Sequence, residues 1–421
     1  MTRSVVVVGG GIAGLGVALG LVRRGAEVTI VDSGASGGGA TYGNAGWVST
    51  AQAGPLPAPG VIGYGVRSLV DPGSALRIVP RGIPTIAPWL ASFALHARRR
   101  PYERGARALS ALGGRSVAML DELAADGVPD TGRDTGMLVV AMDPAAVEHA
   151  REEMEPLVAA GEPPPGDLLD GDAVRGLEPL LSPAVAGGFV VERHRQVDPW
   201  PLSRALVAHL AGRGVRFVEG VAVTAVDADG PVVRLRAGDE VLGADAVVIA
   251  TGAHAGELAA QLGVRLPLVG GRGCSVDVTG TAPLTRAVMV ADAHVALSPI
   301  GDRVRIAGTM ELPATSAVVD EGRARAMVEV AHRATTGWSG ESLPWAGLRP
   351  LVPDGLPVVD ALAPRVFVAT AYSMLGMTVG LPAGDALAEL IDTGTRPGVL
   401  EPFRADRRAL HLTKPRRSPF S

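Results

Sequence analysis

The stretch SVVVVGGGIAGLGVALGLVRRGAEVTIVD, residues 4–32, constrains this chain more than any other. Val5–Val8 is a β-branched run of the kind found in parallel strands buried on both faces. Three glycines interrupt it, and Ile12 to Arg24 then has helical composition, stopped by Gly25. Val28–Val31 reads as a second strand and ends at Asp32-Ser33. The order strand, glycine turn, helix, strand predicts a βαβ unit opening a doubly wound parallel sheet. Within it, Gly9-Gly10-Gly11-Ile12-Ala13-Gly14 is a G-x-G-x-x-G string. Gly9 makes the turn, Gly11 lets backbone approach a pyrophosphate, and Gly14 lets helix pack on strand. The helix N-terminus offers N–H groups to phosphates, and Asp32 can accept from ribose hydroxyls. The bland alternative, a tight turn without function, leaves the acid at the end of the second strand unexplained.

The remainder of the chain bounds the answer. Its 421 residues suit two domains or one large composite, and 47% hydrophobic against 19% charged residues marks a globular protein. A net charge of -4 gives no general case for nucleic acid. Cys274 is the single cysteine, which rules out an internal disulfide and a cysteine zinc cluster and points to a reducing, cytoplasmic setting. No apolar run reaches membrane-spanning length, and the N-terminal run breaks into glycines rather than continuing as a signal peptide. The only lysine is Lys414, in a tail read as disordered. HARRRPYERGARAL, within a helical region at 85–125, is basic and amphipathic, and suits a solvated face or an anionic membrane surface.

Further strands and helices alternate near 200–265 and 365–395, while 268–312 reads as a meander with a hairpin at Gly301-Asp302. The pieces of the dinucleotide sheet are therefore scattered, with another domain inserted between them. Thr251-Gly252 ends a late buried strand and would pass close to the dinucleotide. Near the C-terminus, Leu375-Gly376-Met377-Thr378 opens a helix whose N-terminus can stabilise negative charge on a reduced flavin. A second helix end so far along the chain suits FAD better than NAD. Arg349, in WAGLRPLVPDGLPVVD, is the strong cation of an apolar, turn-rich stretch; it either pairs with Asp354 or waits for an anion.

These strings, with GNAGWVS at 43–49, ATG at 250–252 and LGMT at 375–378, resemble the D-amino-acid oxidase superfamily of flavoproteins, most closely its bacterial D-amino acid dehydrogenases. The resemblance implies non-covalent FAD and hydride removal from the carbon bearing an amine. It implies that Thr41 to Val48, including Asn44, Ala45, Gly46 and Trp47, lie against the isoalloxazine, with Val223 on the adenine side. It implies that Arg349 binds the substrate carboxylate, a planar two-point pairing that orients the Cα–H. Arg272, in GGRGCS, matches a basic position of the dehydrogenases. The chain departs from the family at AYSM, residues 371–374, where relatives carry Gly-His-Gly and Tyr372 replaces the histidine. Some oxidases of the superfamily use a lysine near the flavin; here none is in place, which favours a dehydrogenase passing electrons to a quinone or carrier over one reducing oxygen.

The sequence thus predicts an α/β protein. A Rossmann-type, glutathione-reductase-like FAD domain is assembled from 1–54, 198–266 and 345–421. It is interrupted by a substrate domain with a mixed or antiparallel β-sheet and helices, from 55–197 and 267–344. The expected catalytic residues are Arg349, Tyr372 and Arg272, and the expected reaction is oxidative deamination of a small amino acid. The alternatives are a glycine, sarcosine or cyclic imino acid oxidase yielding hydrogen peroxide, and a biosynthetic flavoenzyme acting on an unusual amino acid.

Overall fold

The strand Ser4–Val8 is buried because it lies in the middle of its sheet, paired in parallel with Glu27–Val31 on one side and Ala246–Ile249 on the other. The computed structural model describes residues 3–69, 74–280, 284–337 and 340–410. The first sheet has six strands in the order Arg216–Val218, Glu27–Val31, Ser4–Val8, Ala246–Ile249, Val366–Thr370 and Val358–Ala363. All neighbours are parallel except the last pair. This is the doubly wound sheet that the opening motif predicts.

Two helices pack together on one face of this sheet, Ile12–Arg23 and Gly376–Thr393. Their backbones approach so closely that a Cβ on Gly16 would lie 2.5 Å from Gly380 O, and one on Gly384 2.2 Å from the Gly16 carbonyl carbon. Any larger residue there would force the helices apart. Ile12 touches both Gly376 and Gly380, so the N-termini of the two helices end up side by side.

A second, ten-stranded sheet is built from residues 76–351, and Val269–Val278 is its long central strand. The hairpin forms where the sequence places it, between Val295–Ile300 and Arg303–Ala307, with Gly301 at a φ of 58°. Strand alternation gives this sheet two distinct faces. Cys274, Val276, Val278, Ile306 and Leu297 point to one face and pack beneath the helix Glu321–Ala334. Gly271, Gly273, Asp277, Arg305, Ser298, Trp345, Gly347 and Arg349 share the other. That second face meets the loop following the first βαβ unit.

One boundary differs from the sequence reading, which starts the last flavin-domain segment at 345. Ser342–Leu351 pairs along its whole length with Val269–Val278, so residues 345–351, Arg349 included, belong to the larger sheet. The helical region at 85–125 is three helices, Ile83–His96, Arg99–Gly113 and Ser116–Ala125. The C-terminal tail with Lys414 lies outside the described residues.

Candidate active site

The opening motif folds into a glycine cradle. Gly9 has a φ of +106°, and a Cβ there would sit 2.5 Å from Ala250 O, so the turn presses against the end of the neighbouring strand. A Cβ on Gly14 would lie 1.9 Å from Gly9 O. Asp32 closes the cradle: its two carboxylate oxygens accept from Gly10 N (2.6 Å) and Gly34 N (2.7 Å). Ser33 is exposed beside it. Thr41 Oγ1 accepts from Ile12 N at 3.0 Å, tying the following loop to the helix start. Gly11 has no side chain to cap this helix, Thr41 takes only its first N–H, and no acid stands in the first turn, Ile12 and Ala13 included.

Two further expected contributors reach the same place. Thr251 N lies 3.2 Å from where a Gly9 Cβ would be, and Thr370 Oγ1 donates to Gly252 O at 2.8 Å. On the other flank Val221 N donates to Asp32 O, which brings the strand starting at Val223 to the Asp32 side.

The Thr41–Val48 loop is held from several directions. Asn44 Oδ1 accepts from Gly46 N at 2.8 Å, and Gln196 Nε2 donates to Ala45 O at 3.0 Å. Gly46 has a φ of +77°, and a Cβ there would meet Val197 O at 2.0 Å. Thr378 Oγ1 donates to Trp47 O at 3.1 Å, and Asn44 Nδ2 reaches Met374 O at 3.4 Å. The loop therefore touches the N-terminus of the Gly376–Thr393 helix, which has no side-chain cap at Leu375 and no acid in its first turn, Met377 included. Hydrogen bonds thus tie the cradle, the loop and the second helix end together. The residues fit a dinucleotide joined to a flavin: two helix ends with no acid in the first turn, a cradle that any Cβ would fill, and the buried Thr251 Oγ1, Tyr372 Oη and Ser373 Oγ without a hydrogen-bond partner.

Across from the loop stands Arg349. Its guanidinium lies over Gly273, where a Cβ would come within 2.2 Å of Cζ; glycine at that position makes room for it. Nη1 donates to Thr309 O at 2.8 Å, and Met310 Sδ is 3.8 Å away. Among the described residues no carboxylate pairs with it. Asp354, the expected alternative partner, is held by Arg407 through both oxygens, at 2.7 and 3.0 Å. Burial pulls the Arg349 guanidinium down to about 10, and the nearby Cys274 opposes this only weakly. The group stays cationic at neutral pH. Beside it, the Trp345 indole covers Gly347 and reaches Gly43 of the loop. Gly347 and Gly273 are directly paired, so indole and guanidinium lie next to each other over a glycine floor.

Arg272 is a correction. It is one residue out of step with Gly271 and Gly273, so its side chain leaves the opposite face of the sheet, where it pairs with Glu311. It does not join Arg349. Trp47 donates its indole N–H to Ser298 Oγ at 2.8 Å. His194 does not pair with Asp198, whose carboxylate accepts from Trp200 N at 3.2 Å and caps a helix.

Tyr372 is buried, and burial pushes its phenol well above the ordinary range. Its neighbours show why the departure from Gly-His-Gly matters: Ala371 and Ser373 have φ of +62° and +50°. The chain keeps a backbone shape suited to glycine while carrying side chains, at about 1–2 kcal/mol per residue. Glycine itself costs about 0.5–1 kcal/mol in chain entropy. Ala371→Gly and Ser373→Gly are each expected to stabilise the fold by about 0.5–1 kcal/mol, read from urea unfolding.

His194, 3% exposed and edge-on to Trp47, is held neutral: burial lowers it to about 4, against weaker opposing pulls from Gln196 and Asp134. The unfolded chain therefore binds this proton near pH 6.5 and the folded chain only near 4. Stability is full above the unfolded value and is lost as pH falls through this window, by about 3 kcal/mol in all. His194→Phe is expected to flatten the pH dependence of unfolding between pH 6.5 and 4.

Sequence reasoning missed Arg305, Asp277, Ser298 and Trp345. The available signal was Arg303 and Arg305 alternating with apolar residues in one strand, and Asp277 between two valines in another.

The arrangement defines an FAD-binding oxidoreductase with a cation on a second sheet, beside the loop of residues 41–48. The chain belongs to the family described as FAD dependent oxidoreductase (DAO), which matches residues 4–390. It is 32% identical over 422 residues to the D-amino acid dehydrogenase of Methylobacterium sp. (strain 4-46), covering 96% of this chain and 98% of that one. It is 30% identical to that of Rhizorhabdus wittichii, covering 94% and 97%. The fold is similar to that of glycine oxidase from Geobacillus kaustophilus, with a TM-score of 0.72 and 23% identity over 98% of this chain and 100% of that one. It is likewise similar to L-proline dehydrogenase from P. horikoshii, with a TM-score of 0.68 and 19% identity over 96% and 97%.

Proposed function

We propose that this protein is an amino acid dehydrogenase of the D-amino acid type, carrying out oxidative deamination with FAD. The observation that carries the reading is Arg349: a half-buried cation over a glycine floor, beside the loop of residues 41–48, with no carboxylate partner among the described residues. A substrate carboxylate completes it. Nη1 is already directed at Thr309 O, which leaves Nη2 and Nε for the incoming anion and fixes the plane in which it lies. Trp345 and Tyr42, with ring centroids 6.0 Å apart, stand beside the clamp, and a substrate packed against them would be shielded from water there.

When bound, FAD accepts the hydride. The chain supplies orientation: Arg349 fixes the carboxylate, and the Cα–H is thereby directed towards the loop of residues 41–48. The neutral amine assists departure of the hydride. Water then hydrolyses the imino acid to a keto acid and ammonia; a cyclic amine would yield a cyclic imine instead. Arg349 donates hydrogen bonds throughout and transfers no proton, consistent with a group that stays charged at working pH.

A quinone or another carrier is the proposed electron acceptor, since the only lysine, Lys414, lies in the C-terminal tail. Among the described residues no helix is long and apolar enough to cross a membrane. Contact with an anionic membrane surface from a cytoplasmic location is part of the proposal, supported by the exposed Arg98, Arg99, Arg100, Arg104 and Arg107 along one helical stretch. The test is an anaerobic screen of amino acids, both enantiomers and N-methyl forms, watching flavin absorbance. Bleaching by D-amino acids with turnover on an artificial acceptor supports the reading. Peroxide formed stoichiometrically in air replaces it with an oxidase, and no bleaching by any amino acid ends it.

A further inference from the structure

Arg305 is 2% exposed, which is extreme for a charged side chain and demands full pairing. Its Nε and Nη2 take both oxygens of Asp277, at 2.6 and 2.8 Å, and Arg303 adds a third bond to that carboxylate at 2.9 Å. The remaining nitrogen, Nη1, leaves the sheet and donates to two loop carbonyls, Tyr42 O at 2.7 Å and Asn44 O at 2.9 Å. Ser298 stands directly opposite Arg305 in the sheet and receives the Trp47 indole N–H. One row across three strands thus holds the loop at residues 42, 44 and 47.

The consequence follows from peptide geometry. In a trans peptide the N–H points opposite to the C=O of the same plane. With the carbonyls of Tyr42 and Asn44 turned towards Arg305, the N–H groups of Gly43 and Ala45 point away from the substrate sheet. Neither has an acceptor among the described residues, whereas Asn44 N bonds Thr41 O and Gly46 N bonds Asn44 Oδ1. Alternate N–H groups of this loop are therefore spent within it, and the other two are left facing outward together.

We propose that Arg305, braced by Asp277, is a positioning residue that turns these two peptide planes so that Gly43 and Ala45 present a pair of backbone donors to the acceptor edge of the isoalloxazine. This rests on the loop lying against the flavin, as the reading above has it. Arginine is required because one rigid fork must satisfy a carboxylate and two carbonyls at once; a lysine ammonium cannot span them.

The test compares Arg305→Lys, the charge-neutral pair Arg305→Gln with Asp277→Asn, and Ser298→Ala. Apoprotein is titrated with FAD by fluorescence quenching, and the bound flavin's visible circular dichroism and reduction potential are recorded. Arg305→Lys, or the neutral pair if the lysine variant does not fold, is expected to raise the FAD dissociation constant at least tenfold. It should also shift both the dichroism and the potential of the flavin that binds. Ser298→Ala, which frees only Trp47, should change the constant less than threefold. Wild-type affinity, or weakened affinity with unchanged dichroism and potential, overturns the proposal. None of these readouts needs a substrate. If no amino acid bleaches the wild-type flavin while the Arg305 variants still move its spectrum, the amino acid reading fails and this one stands.

Discussion

Arg349→Ala is expected to lower kcat/KM for the amino acid substrate by about a thousandfold while FAD binding stays at the wild-type level. Truncating one member of a buried charge pair costs about 2–5 kcal/mol, and each 1.4 kcal/mol is tenfold in rate. The loss should fall on KM through the missing carboxylate anchor and on kcat through misorientation of the Cα–H. Arg349→Lys should recover only part of it, because an ammonium is a point charge and cannot match a planar carboxylate at two atoms. FAD is spared because Arg349 rises from the larger sheet and belongs neither to the glycine cradle nor to the helix ends. A diagnostic follows from substrate chemistry. The wild type should strongly prefer an amino acid over the matching amine without a carboxylate, and Arg349→Ala should lose that preference. Equal preference in both proteins would remove Arg349 from substrate binding.

Gly14→Ala is expected to be the most damaging small substitution in the cradle. The new methyl would stand 1.9 Å from Gly9 O and 3.2 Å from Val7 Cγ1, and neither the strand nor the helix can withdraw without breaking the turn. Overpacking typically costs about 1–3 kcal/mol, and contact with fixed backbone places this case at about 3 kcal/mol or more. Thermal unfolding should show a fall of several degrees together with weakened FAD binding. Gly25→Ala is the control. Gly25 ends the same helix with a φ of +78°, but nothing lies within 4 Å of its Cβ position. It should cost only the left-handed penalty of about 1–2 kcal/mol and leave FAD affinity alone.

The comparison of these two glycines shows how far the sequence could be read. Gly14 lies in the helix that Gly25 terminates, and the string G-x-G-x-x-G singles out Gly14 because dinucleotide folds need that close approach. Arg349 was legible for a similar reason: a lone guanidinium in an apolar stretch must meet an anion somewhere. Arg272 stands close to it across two paired strands, and nothing in the primary order shows which faces the loop of residues 41–48. That depended on register, since a shift of one residue exchanges the two faces of a strand. Register also moved residues 345–351 out of the dinucleotide-binding segment and into the larger sheet.

By itself the sequence determined the βαβ opening, the glycine cradle, the second helix near the C-terminus and the presence of one apolar-flanked cation. Each follows from local periodicity or from a residue type whose chemistry admits few settings. The tertiary structure alone decided that Arg349 has no carboxylate partner among the described residues, that Arg272 faces away, and that Arg305 bonds the carbonyls of Tyr42 and Asn44. Those outcomes rest on pairings between residues far apart in the chain, such as Asp277 with Arg305 and Arg305 with Tyr42. Only folding brings such groups into hydrogen-bond range, and local pattern carries no record of it.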